Sequence, residues 1–233
     1  RGIVSVKPGD MNTLRNLTSR SHTISVLVRA NQQEEKVPIW LIGDEDRRFC
    51  EYPIFRRPGH DWGLSYNNSR AFTTMMWNNS REFLYLWAKR YEQQWTWVTL
   101  TVDDDTKQIS LYINGKKSDA RFGTGLSSPL EYDGFLKRYG IEPYYIGTTT
   151  SVGIDEVNRW FKGDIAELKI WNRYLDSDEV KNPTDVGLLI HYDMKNGLVN
   201  DISYNGNDGI VHNCEHKKEK IVIPNSIIPH RKA

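Results

Sequence analysis

The chain predicts an all-β domain, an antiparallel two-sheet sandwich with one short helix, and three observations carry that expectation. Apolar residues alternate with polar ones in several short runs, the period-two pattern of strands with one buried face. Turn residues punctuate the chain between those runs, as in Asp103-Asp104-Asp105-Thr106-Lys107 and Asn114-Gly115. Helical stretches do not recur between the strands, so βαβ units are not expected.

The elements follow in order. "HTISVLVRA" alternates with Ile24, Val26 and Val28 on one face, and "VPIWLIG" (Val37 to Gly43) follows as the next strand. "DEDRRFCEYPIFRRPGHD" is charged and broken by Pro53, Pro58 and Gly59, which marks a long loop. "WGLSYNN" and "AFTTMMW" resume short strands. In "NNSREFLYLWAKRYEQQ", Phe83, Leu84, Leu86 and Trp87 fit a helical stripe or a strand, and strand is the preferred reading.

"WTWVTLTVDDDTKQISLYINGK" is the most legible stretch. Val98, Leu100 and Val102 alternate with Thr99 and Thr101, and Ile109, Leu111 and Ile113 alternate with Ser110 and Tyr112. Asp side chains that bond their own backbone close the first turn, and Asn114-Gly115 tolerates positive φ in the second, so a hairpin with one buried face is expected.

"GKKSDARFGTGLSSPLEYDGFLKRYGIEP" is a long connection to the strand "YYIG". "FKGDIAELKIWNRYL" sets Ala166, Leu168 and Ile170 against Ile165, Glu167, Lys169 and Trp171. Asp176 followed by Glu179 reads as a capping box opening the one helix. "GLLIHYDM" is the last strong strand, about the tenth. The domain is expected over 1–214, with 215–233 a linker, or an extended segment packed on the outside, leading to a further domain. The lack of an initiating Met and of an apolar leader in "RGIVSVKPGD" suggests a piece of something longer.

Composition narrows the partners. Lys and Arg (31) nearly balance Asp and Glu (30), so no basic field recruits nucleic acid or a membrane surface. No run approaches the roughly 20 apolar residues of a membrane span. Cys50 and Cys214 are too few for a disulfide scaffold and are not spaced for a metal, which leaves idle thiols or a bridge between the Pro-broken loop and the segment after the last strand. Sequons at Asn16, Asn67 and Asn78 permit glycosylation and tilt the expected location slightly toward an extracellular or secretory setting.

In their order, "WTWVTLTVD", "ISLYINGK", "YYIG" and "FKGDIAELKIWNRYLDSDEV" resemble the laminin G-like, concanavalin A-like jelly-roll superfamily, over Trp95 to Val180. The resemblance implies a jelly-roll sandwich and leaves the ligand open. "LLIHYDMKNGLVNDISYNGNDGIVHN" is similar to the opening strand and turn of such domains, yet stands at the end. A permuted sandwich, a C-terminal strand with the same turn, or a second truncated copy would each explain it. Completion of the same sandwich from the C-terminus is expected, because a remnant of about 45 residues cannot bury its own strands.

Catalysis lacks a visible apparatus. Glycoside hydrolases of this superfamily pair carboxylates on one strand, and no strand here does so. Asp44, Glu45 and Asp46 lie in a turn beside Arg47 and Arg48, and Asp155-Glu156 lies in a loop, as solvated charges do. The Arg, Gln-x-His and Tyr-x-Lys signatures of lyases are missing. There is no Gly-x-Ser-x-Gly, no activated cysteine and no phosphate loop in "FGTGLSSPL". A non-enzymatic chain is expected.

Two kinds of site remain. "NDISYNGNDG" crowds Asp201, Asn205, Asn207 and Asp208 into one turn whose Gly206 and Gly209 let carbonyls point inward, and Asp164 and Asp193 could complete a structural calcium site. A plain Asn-Gly turn explains the composition equally well. For sugar, exposed aromatic faces stack on a pyranose while amides and charged groups satisfy its hydroxyls. The candidates are Trp62, Trp77 and Trp87 with Asn78, Arg90 and Tyr91, plus Trp160, whereas Trp95, Trp97 and Trp171 are expected to pack inside the sandwich.

The leading expectation is therefore a non-catalytic carbohydrate-binding or adhesion module of a larger protein, with a glycan or polysaccharide as partner. A structural domain packed on a neighbouring catalytic domain is the alternative, since "IPHRKA" faintly resembles the entry of galactosyltransferase-like domains. A polysaccharide hydrolase or lyase with an unrecognised site is the third.

Overall fold

The computed structural model describes residues 3–6, 21–31, 37–42, 62–67, 71–77, 83–89, 93–103, 105–106, 108–118, 121–123, 144–146 and 163–223. They form β1 (Ile3–Val6), β2 (His22–Ala30), β3 (Val37–Ile42), β4 (Trp62–Asn67), β5 (Ala71–Trp77), β6 (Phe83–Lys89), β7 (Thr96–Asp103) and β8 (Gln108–Ile113). There follow β9 (Lys116–Lys117), β10 (Arg121–Gly123), β11 (Tyr144–Ile146), β12 (Gly163–Trp171), helix α1 (Ser177–Lys181), β13 (Leu188–Asp193) and β14 (Gly209–His212). The larger sheet runs β10-β6-β5-β4-β3-β11-β1-β14 and the smaller β13-β12-β2-β7-β8-β9.

The described pairings are antiparallel, and the smaller sheet shows why. Register sets Ile24 opposite Leu100 and Val26 opposite Val98, then Leu168 opposite Val26 and Ile170 opposite Ile24, so one face is a continuous aliphatic layer. Ile24, Val26, Val28, Val98, Leu100, Leu111, Leu168, Ile170 and Ile190 are all fully buried. At about 1.5–3 kcal/mol for each such side chain, this layer is a large contribution to the drive to fold. β6 of the larger sheet lies against β8, and its Leu86 is buried as well.

The turns form as their chemistry predicts. Asp103 accepts from the Asp105 and Thr106 amides and the Thr106 hydroxyl, closing the β7–β8 loop. Asn114 and Gly115 adopt φ of 49° and 77°, and the Asn114 side chain accepts from the Trp97 amide at 2.9 Å. Asp176 caps α1 by accepting from Asp178 and Glu179 amides while Glu179 accepts from the Asp176 amide, a complete capping box.

The hairpin differs from expectation in having two buried faces. Opposite the aliphatic layer lies a layer of hydroxyls, with Thr23, Thr99, Thr101, Ser110 and Tyr112 all buried. Ser25 and Thr99 hydroxyls bond across strands at 2.7 Å. The chain leaving β12 covers this layer: the Thr23 hydroxyl donates to the Arg173 carbonyl and accepts from the Leu175 amide, both at 3.0 Å. Trp171 is on this face too, donating to the Thr184 carbonyl at 2.8 Å. Trp95 and Trp97 likewise pack on the hydroxyl side beside Leu27, not between the sheets.

The C-terminal strands complete both sheets. β13 pairs with β12, and β14 pairs with the N-terminal β1, with Val4 opposite Val211. Gly187 introduces β13 at φ 76°, where a Cβ would lie 2.6 Å from the Asn172 side-chain oxygen. The segment after β14 is an extended stretch packed on the outside, with Ile221 and Ile223 against the Leu27, Trp95 and Ala166 cluster.

Candidate functional site

Two places deserve a site's description, the C-terminal turn and the β4–β6 part of the larger sheet. In the turn, Asp201 forms a bridge with Tyr192 and is 9% exposed. Its Oδ1 accepts from the His191 amide at 3.0 Å and the Ser203 amide at 3.0 Å, with the Ser203 hydroxyl at 2.6 Å, and its Oδ2 accepts from the Asn207 amide at 3.1 Å. Asp208 Oδ1 accepts from the Asp201 amide at 2.7 Å. Asn205 and Asn207 donate their side-chain amides to the Leu189 carbonyl, and Tyr192 donates its hydroxyl to the Asn207 carbonyl. Burial and the nearby Asp201 and Asp208 charges push the Tyr192 hydroxyl far above the usual tyrosine range, so it remains a donor.

The sequence brings Asp201, Asn205, Asn207 and Asp208 into one turn, as expected, but the groups facing the Asp201 carboxylate are N–H and O–H donors. A cation needs lone pairs from several oxygens at once. Of the expected completing residues, Asp164 is engaged by cationic side chains and Asp193 adjoins the Tyr192–Asp201 bridge. Asp164 Oδ2 takes Arg29 at 2.7 Å and its Oδ1 takes Lys217 at 2.9 Å, while Asp193 stands opposite Glu167 in register. Among the described residues no group of three or more His, Cys, Asp or Glu side chains is arranged to hold a metal. As arranged, the carboxylates of the turn are engaged by hydrogen bonds from its own amides and hydroxyl.

Beside β13, Glu167 Oε1 is shared by His191 Nε2 at 3.0 Å and Lys169 Nζ at 2.8 Å. Lys169 also lies over the Trp97 ring, 5.8 Å from its centroid. A carboxylate held by a lysine and a histidine at once is an anchor of the β12–β13 edge and makes a poor general acid or base.

The aromatic candidates fall on consecutive strands of the larger sheet. Trp62 opens β4, Trp77 closes β5 and Trp87 is in β6. Register sets Thr73 opposite Trp87, Met75 opposite Tyr85 and Trp77 opposite Phe83, so Trp77, Phe83, Tyr85 and Trp87 share one face. Phe122 of β10 joins them opposite Tyr85. Leu64 pairs with Thr74 and Thr74 with Leu86, which puts Trp62 at a position of the other face, that of buried Leu86. Alternation in β6 as Phe83-Tyr85-Trp87 was the signal for the two aromatics that sequence reasoning passed over. Asn78, Arg90, Tyr91 and Trp160 lie outside the described residues, as does Cys50, the expected partner of Cys214.

Comparison with known proteins places this geometry. A crystal structure of a Bacteroides ovatus protein with an inferred carbohydrate-binding role superposes with a TM-score of 0.60 at 16% identity, covering 94% of this chain and 60% of that one. The chain thus spans about 60% of the length of that relative. The CBM40 module of a Ruminococcus gnavus IT-sialidase, solved alone and bound to α2,3-sialyllactose, superposes at 0.55 and 16% identity, covering 76% of this chain and 89% of the module. At such identities the likeness is one of fold. No curated protein sequence matches. The laminin G-type family model described as the concanavalin A-like lectin/glucanases superfamily matches residues 8–181. The chain belongs to that superfamily.

Proposed function

We propose that the domain is a non-catalytic carbohydrate-binding module that takes a glycan along the β5–β6 face of its larger sheet. The observation that carries the reading is the register that aligns Trp77, Tyr85 and Trp87 on one face. Four residues of β5 separate the Trp77 and Thr73 rows, about 14 Å along the strand, with Tyr85 in the row between. Such a row suits an extended oligosaccharide better than one sugar, because each aromatic offers a flat apolar surface to a ring. The opposite side of the molecule supports the choice, since the hydroxyl layer of the smaller sheet is covered by the chain's own segments. The inferred carbohydrate-binding role of the Bacteroides ovatus protein and the α2,3-sialyllactose bound by the Ruminococcus gnavus module are in keeping with it.

A glycan array that includes sialylated lactose, followed by affinity gels, tests the reading with Trp77→Ala, Tyr85→Ala and Trp87→Ala. Retention should fall at least tenfold in the Trp variants while Trp62→Ala lowers the melting temperature instead. No retention by any glycan, or Trp77 and Trp87 variants that bind like the parent, would sink the proposal.

A further inference from the structure

Composition makes "EHKKEKIVI" look like a linker, and its inner pattern is different. Lys217 and Glu219, though exposed, form ion pairs with the smaller sheet and the half-buried Ile221 and Ile223 pack on it, while the intervening Lys218, Lys220 and Val222 are exposed. Lys217 reaches Asp164 at 2.9 Å and Glu219 reaches Arg29 at 2.8 Å. Ile221 and Ile223 pack on Leu27, Trp95 and Ala166, beside Trp97. Arg29 is itself set in place by the Trp95 ring, 5.1 Å below it, and by Asp164. The segment belongs to no strand, so side chains in alternate positions hold it.

This surface meets the segment in order with an acid, a base and then an apolar shelf. We propose that it is a peptide-binding groove, that residues 217–223 are a detachable strap docked in it in cis, and that it accepts an extended segment reading basic-x-acidic-x-aliphatic-x-aliphatic. Its ion pairs are at the surface, where water and salt weaken them, and its isoleucines are only partly covered. The strap therefore opens without disturbing the aliphatic layer of the sheet, as a local event of lower cost than global unfolding. The proposal is independent of the glycan reading, which concerns the other sheet.

The test uses the full chain and a fluorescent peptide of the sequence Glu215 to Pro224. The double substitution Ile221→Asp/Ile223→Asp removes the strap's apolar anchors, and Glu219→Lys reverses its acidic contact. Both variants should be cut by trypsin within 217–220 at least tenfold faster than the parent while keeping its far-UV spectrum. The double variant should bind the peptide at least tenfold tighter than the parent, whose groove is occupied, and a peptide with Lys217 and Glu219 exchanged should bind at least tenfold more weakly. A folded double variant that binds no better than the parent, equal binding of the exchanged peptide, or unchanged cleavage overturns the proposal. Should the double variant fail to fold, the same two measurements on Glu219→Lys decide.

Discussion

Replacing Asp201 separates a hydrogen-bonded turn from a calcium site. In Asp201→Ala the amides of His191, Ser203 and Asn207 lose their acceptor. Each orphaned buried donor costs about 1–3 kcal/mol, and because the neighbouring Tyr204, Asn205 and Gly206 are exposed, water reaches the opened turn and the low end applies. The sum is about 3 kcal/mol, or about 6–12 °C in melting temperature for a domain of this size. Asp201→Asn keeps an oxygen for His191 and Ser203 and loses only the acceptor of Asn207, which costs about 1 kcal/mol. The assay is thermal melting by circular dichroism, with and without EDTA. On the hydrogen-bond account EDTA leaves the parent unchanged and the order of stability is parent, Asn, Ala. If EDTA lowers the parent to the level of Asp201→Ala and has no effect on that variant, a metal holds the turn and the reasoning fails.

Ending the chain at Pro183 removes β13 and β14, and with them the buried Leu189, Ile190 and Tyr192 at about 1.5–3 kcal/mol each, so the product should aggregate or melt far lower; a monomer with an unchanged melting temperature would refute this. Gly187→Ala forces a Cβ into the left-handed region against Asn172 and should cost at least about 1–2 kcal/mol, whereas a neutral result would mean that the turn relaxes freely. Burial alone would raise the Asp164 carboxyl, but hydrogen bonds from Lys217 and Arg29 hold it below the usual carboxylate range. With its folded pKa depressed, its contribution is present above the unfolded value of about 3.9 and is lost as pH falls through the folded one. Asp164→Asn should thus melt below the parent at pH 6 and the difference should shrink below about pH 3.9. A gap of constant size across that range would falsify the assignment.

What could be read from the sequence is what local spacing decides. The β7–β8 hairpin and the α1 cap were legible because their alternation, Asp turns and capping box involve neighbours within a few residues. Alternation also separates the two faces of a strand, but not whether the polar one is wet. Thr23, Thr99 and Thr101 read as a solvent face and are buried, because the covering Arg173–Leu175 backbone comes from about 150 residues after Thr23. The strap could be read only as a linker or an outside-packed segment, because Lys217 and Glu219 stand where an apolar pattern would have marked a contact face. At the turn after β13, composition counted oxygens correctly and could not show that backbone N–H groups would claim them. In β6 the ambiguity between helix and strand hid the shared face of Tyr85 and Trp87, and only register adds Trp77 of β5 to it.

The pairing of β2 with β12 has a consequence for how the polypeptide is made. β2 ends at Ala30 and its neighbour begins at Gly163, so one side of a central, almost wholly buried strand has no mate until 133 further residues have been added. At about 5–20 residues per second that is a wait of about 7–27 seconds on a ribosome. Until then, β2 can bond only to β7, and its other edge stands open to any chain nearby. Separations this long give a high contact order, for which folding takes about milliseconds to seconds once the whole chain is present. Protection of the nascent β2–β7–β8 unit is accordingly expected to limit production of this domain. Slowing synthesis without supplying a chaperone should lower the soluble yield more than any change to the finished surface.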